Sequence, residues 1–159
     1  MVVHPGQTDL EPRPNIRLQI VGGAVVAFLV GVILALAVGL SATLFRLDRD
    51  RAFYPTVMIV VASYYALFAV IGGSPRALVV ESLVAVAFVA VSLAGFKKSL
   101  WLVVAALAAH GVFDFVHGHL IANPGVPAWW PPFCLTFDVV AAAYVASRLL
   151  RHKVHAIAT

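Results

Sequence analysis

Charge is scarce in this chain. Asp, Glu, Lys and Arg make up 11% of its 159 residues, against about a quarter in an ordinary soluble domain. With 62% hydrophobic residues, a disordered chain is excluded, because a solvated coil cannot expose so much apolar surface. A compact soluble core is disfavoured as well, since too few polar residues remain to cover it. Cysteine is nearly absent. The single Cys134 excludes an internal disulfide, and without a CxxC or a Cys/His pairing no structural zinc site is expected. There is no Walker loop, GxSxG elbow or HExxH motif, and no internal repeat, heptad run or low-complexity tract. The eleven Lys and Arg residues are not gathered into a patch but stand at the ends of apolar segments, so no nucleic-acid partner is expected.

What the chain does have is long apolar runs. Residues 18–45 carry no charge, and as a helix they would reach about 42 Å, more than a hydrocarbon core of ~30 Å. Four more runs follow at 54–71, 77–96, 100–120 and 132–150. Each is near the ~20 residues that one crossing needs, and runs such as Ile20 to Leu40 are apolar on every face rather than in alternation, which argues against a β-barrel. The fold class expected is therefore an all-α membrane protein, a five-helix antiparallel bundle in the cell membrane with the lipid bilayer as its main partner. Residues 1–17, with Pro5, Pro12 and Pro14, read as a solvated tail rather than a secretory signal. Residues 151–159 read as a basic tail. The link from Asn123 to Pro132 is proline-rich and holds Trp129 and Trp130, a composition suited to the headgroup level.

Orientation follows from counting basic residues. Arg13, Arg17 and Arg76 share one side; Arg46, Arg49, Arg51, Lys97, Lys98, Arg148, Arg151 and Lys153 share the other. Eight against three places the C-terminus in the cytoplasm and the N-terminus outside.

The first run has small residues at every fourth position: Gly23, Ala27, Gly31, Ala35 and Gly39. Such a ridge admits another helix closely, either from within the chain, which is the favoured reading, or from a second copy in a homo-oligomer.

The fourth run carries the informative polarity. His110, Asp114 and His117 fall on one stripe at helical spacing, while His119 points elsewhere. Gly111 and Gly118 flank the stripe and would admit a neighbour or a ligand. Topology puts Glu81 of the third run and Asp138 of the fifth in the same half of the bilayer as this stripe. Ionisable residues inside a membrane are expensive, face the bundle interior and by default carry function. The candidate catalytic residues are thus His110, Asp114, Glu81 and Asp138. His117 is expected at the mouth, Trp129 or Trp130 as a roof, and Tyr64 and Tyr65 as further binding residues. His110, Asp114 and His117 could hold one divalent metal ion, since His at i and Asp at i+4 is a sound ligand geometry. Each residue also has a structural account: an interior ion pair for Asp114, a helix-start position for Glu81, a packed tyrosine for Tyr64 or Tyr65.

Three functions compete. The first is a pocket that binds a lipophilic small molecule and works on it by acid–base or metal-assisted chemistry. The second is a transporter or channel for protons or cations, against which stands the fading of polarity in the inner half. The third is a non-catalytic subunit or assembly factor.

Overall fold

The computed structural model describes residues 16–151, with side chains from residue 21 onward. Most of the two tails anticipated above, residues 1–15 and 152–159, lies outside the described residues. The rest is helical: α1 (Ile16–Leu44), α2 (Phe53–Ile71), α3 (Pro75–Lys97), α4 (Trp101–Leu120) and α5 (Trp130–Leu150), with a single 3-10 turn at Leu47–Arg49. All five helices are long and apolar enough to cross a membrane. A helix satisfies every backbone group within its own segment, which is what a hydrocarbon surrounding demands.

Local chemistry sets the ends. α1 runs out before Arg46, whose φ of 61° is a left-handed conformation that a non-glycine residue adopts only under strain. α2 stops at Gly72-Gly73, where Gly73 takes the positive φ without penalty. Ser74 caps α3, its hydroxyl accepting from the Ala77 N–H at 3.3 Å, and Pro75 occupies the first turn, where its missing N–H is harmless. Pro131 and Pro132 do the same for α5, which therefore starts at Trp130, two residues earlier than expected. α1 and α3 also start two residues early, α2 one residue early and α4 one residue late.

Two ends of the bundle can be told apart. The basic end holds the α1–α2 link, the α3–α4 link and the end of α5. The tryptophan end holds the α2–α3 turn and the link before α5. Helices adjacent in sequence run in opposite directions, but spatial order departs from sequence order. α1 does not pack along α2; it lies along α5, α5 lies along α4, and α2 pairs with α3. Because α1 and α5 both run from the tryptophan end to the basic end, this contact is parallel, where a simple antiparallel neighbour was expected. The physical reason is the small-residue ridge. A Cβ on Gly31 would collide with Thr136 Oγ1 and the Phe133 carbonyl, and one on Gly39 would press on the Tyr144 ring at 2.8 Å. Ala27 and Ala35 are buried beside them, so the ridge that could have met a second copy is occupied by α5. Gly23 alone meets nothing. The opposite side of α1 presents Leu29, Ile33, Leu36 and Leu40 outward, an apolar surface that suits lipid rather than water.

Toward the basic end the core is apolar: Met58, Leu100, Val103, Leu107, Val145 and Leu149 interlock. It is closed by a polar strap. The Arg148 guanidinium donates to Asp48 Oδ2 at 2.9 and 3.1 Å, the Thr43 hydroxyl donates to the same oxygen at 3.1 Å, and Thr43 and Tyr144 share a 2.7 Å hydrogen bond. The turn after α1 is thereby fastened to α5.

Candidate functional site

At 100° per residue, positions 110, 114 and 117 share one face of α4. That face is turned into the bundle, leaving His110, Asp114 and His117 at most 2% exposed. Helices α5, α3 and α2 each bring one further polar side chain to it: Asp138, Glu81 and Tyr65, none more than 2% exposed.

The residues form two nodes. In the first, His110 Nδ1 lies 2.7 Å from Asp138 Oδ2 and 3.4 Å from Asp114 Oδ2, and the Tyr65 hydroxyl donates to Asp114 Oδ1 at 2.7 Å. Gly111 makes the first contact possible. A Cβ there would sit 3.2 Å from the Leu135 carbonyl and 3.4 Å from Asp138 Cβ, so its absence lets α5 bring Asp138 up to the imidazole. Gly118 has open space around it and plays no such part. In the second node, His117 Nε2 lies 2.7 Å from Glu81 Oε1, and the Asn123 side-chain amide donates to that same oxygen at 3.0 Å. Tyr65 joins the nodes: its ring stacks on His117 with centroids 3.9 Å apart, and its backbone carbonyl accepts from Asn123 at 3.0 Å.

Three carboxylate oxygens, Glu81 Oε2, Asp114 Oδ2 and Asp138 Oδ1, are buried without a hydrogen-bond partner among the described residues. Buried acceptors without partners are uncommon and ask for an explanation. His110, Asp114 and Asp138 offer ligand-type atoms within 4.8 Å of one another. His117, read from the sequence as the third member of a metal set and as the mouth of the site, is sealed inside against Glu81 instead.

Beside the cluster runs a groove of about 1390 Å³, bordered by α1 and α2 and floored by α5. It exists because α1 leaves α2 for α5. Val26, Val30, Val60, Val61 and Phe133 line it, with Arg46, Arg49 and Asp50 at the basic end and Trp129 and Trp130 toward the other. The two tryptophans therefore border the groove instead of roofing His117; Asn123 covers the Glu81 end. Tyr64 also lines the groove, its ring 4.9 Å from Trp130. Trp130 Nε1 is a buried donor with no acceptor among the described residues. Cys134, on the groove wall, is buried and precedes Asp138 by one turn of α5, so one stretch of that helix borders both groove and cluster.

Asn123 was overlooked in the sequence, where it read as part of a rigid link. The available signal was Asn-Pro-Gly directly after a polar helix end. Its Oδ1 accepts from Gly125 N at 3.3 Å, and Gly125 packs so tightly on the end of α2 that a Cβ would collide with the Phe68 carbonyl. The link is shaped to press Asn123 inward.

These features define a helical bundle with five candidate membrane-spanning helices and a buried histidine–carboxylate cluster. Comparison with protein-family models, curated proteins and solved structures finds no match, so function is argued from this geometry alone.

Proposed function

We propose that the protein is a multi-pass membrane protein, its basic end in the cytoplasm, that receives a lipophilic small molecule through the α1–α2 groove and moves protons on it with the His110–Asp114–Asp138–Tyr65 cluster. One observation carries this reading: Cys134, on the wall of an apolar groove, stands one turn of α5 before Asp138 of the buried acid–base cluster. Ligand sites are typically apolar with a few convergent polar groups, and Trp130 Nε1 and Cys134 supply the first of these. An isomerisation by proton transfer needs no co-reactant. One carbon of the substrate loses a proton to the His110–Asp138 pair, another gains one, and the cluster returns to its starting state. Tyr65 holds Asp114 in place throughout, and His117 paired with Glu81 fixes the Tyr65 ring. For the occupant to reach Asp138, the layer formed by Cys134 and its neighbours must part.

The apolar packing of Met58, Val103, Leu107 and Val145 toward the basic end favours a pocket over a through-path for ions, because a continuous relay needs polar groups at every depth.

The test is extraction and mass spectrometry of organic-soluble molecules carried by the full chain purified in mild detergent. Val60 is exposed on the groove, so Val60→Trp narrows that space without disturbing the core. Wild type should carry a discrete lipophilic compound and Val60→Trp should not. Equal retention by both, or none by either after a panel of lipid extracts is offered, overturns the reading. A reporter fused after Thr159 that is active only on the cytoplasmic side supports the orientation; activity on the outer side reverses it.

A further inference from the structure

We infer that His110, Asp114 and Asp138 hold one divalent metal ion. The inference deepens the reading of this cluster as a working site, but it does not depend on the lipophilic occupant.

Charge balance is the first argument. The structure gives both aspartates the same charge partner, His110, and the three side chains are at most 1% exposed. Two carboxylates that stay ionised in a surrounding that cannot hydrate them call for two positive charges, because buried charge is paired or bound to metal. A protonated imidazole supplies one. A divalent ion supplies both and leaves the imidazole neutral, which is the form that binds metal.

Geometry is the second. Nδ1 stands 3.4 Å from Asp114 Oδ2, within the ~3.0–3.4 Å that separates neighbouring ligands around an ion bound at ~2.1 Å, and 2.7 Å from Asp138 Oδ2, a hydrogen-bond distance that an ion would widen by a few tenths of an ångström. Asp114 Oδ2 and Asp138 Oδ1 are buried without a hydrogen-bond partner among the described residues, two carboxylate oxygens brought to His110 from different helices. The outer shell is present too. Tyr65 donates to the other oxygen of Asp114 at 2.7 Å, as carboxylate ligands commonly require. One imidazole and two carboxylates suit zinc, manganese, iron or cobalt. Three protein ligands leave a coordination position open, the pattern of working rather than purely structural sites.

The experiment measures metal content of the full chain purified through a tag without histidine. Elemental analysis should find one divalent ion per chain in wild type and in Val60→Trp. After chelator treatment, added Co²⁺ should bind wild type with one-to-one saturation and give the visible absorption of cobalt bound to nitrogen and oxygen. Asp138→Asn and His110→Ala should lose the ion, and Tyr65→Phe, which keeps the ring stack, should weaken Co²⁺ binding by roughly 10–100-fold. The Co²⁺ titration uses wild type alone, so it decides the question even where a variant fails to fold. No ion in wild type together with no Co²⁺ saturation overturns the inference, and so does an ion retained in Asp138→Asn; a second shared proton then neutralises the aspartates. A bound ion without any retained lipophilic compound sinks the proposed function and leaves this inference standing, while a retained compound without an ion does the reverse.

Discussion

Toward the tryptophan end, four helices bury two imidazoles, three carboxylates and a tyrosine hydroxyl within one connected cluster. Toward the basic end, helices of the same bundle meet through Met58, Leu100, Val103, Leu107, Val145 and Leu149. The two halves draw on the same secondary structure, yet they answer different demands. An apolar core in a membrane is held by close packing, since lipid is as apolar as leucine. A polar cluster at membrane depth begins with a desolvation cost and recovers it only through partners. The apolar half therefore governs how firmly the bundle stands, and the polar half governs what it can do.

That division can be broken by three substitutions. Leu107→Ala has the largest expected effect. It opens a cavity at a fully buried position and should cost about 2–5 kcal/mol of stability, measured by thermal unfolding in detergent. Metal content per folded chain should stay unchanged; its loss would show that the halves are not independent. Gly31→Leu comes next. The space is filled by Thr136 and the Phe133 carbonyl, so the added side chain must push α1 off α5, at roughly 1–3 kcal/mol. Unaltered stability in both detergent and bilayers would mean that the contact contributes nothing. Asp138→Asn should have the smallest effect on folding when both proteins are compared free of metal, within about 1 kcal/mol, because the amide oxygen still accepts from His110 while a buried charge is removed. Function and metal should nevertheless be lost. Collapse of folded yield in this variant, read by size-exclusion profile, would turn the polar half into structure and nothing more.

Much of the fold was legible because each span is long, largely apolar and bounded by Gly, Pro or basic residues. The stripe of His110, Asp114 and His117 was legible from the helical period, and the shared depth of Glu81 and Asp138 from topology. Periodicity gives the direction of a side chain around its own helix, but not which neighbour stands there. That is why His117 was grouped with His110: it shares that face of α4 but stands about 10 Å farther along the axis, where α3 presents Glu81. Tyr64 and Tyr65 were equivalent as sequence; a turn of 100° sends one to the groove and the other to Asp114. The short link of residues 45–52 suggested α2 as the neighbour of α1. The complement to the ridge, namely Thr136, the Phe133 carbonyl and Tyr144, sits a hundred residues away and cannot be recognised as a complement until α5 is in place.

The pairing of α1 with α5 also sets a timetable for synthesis. The Thr136 hydroxyl meets the Phe28 carbonyl across 108 positions of chain, so the helix made first waits for the helix made last. Contacts of such sequence separation are slow to close, and surfaces that wait for them are open to wrong partners. During that wait the small-residue ridge of α1 is bare, and any passing helix with a matching groove can dock on it. Asp138 arrives on the same late helix, so assembly of the outer wall and completion of the polar cluster fall in one step. A nascent chain stopped before Trp130 should therefore crosslink from Gly31 to foreign membrane helices, and one released after Leu150 should not.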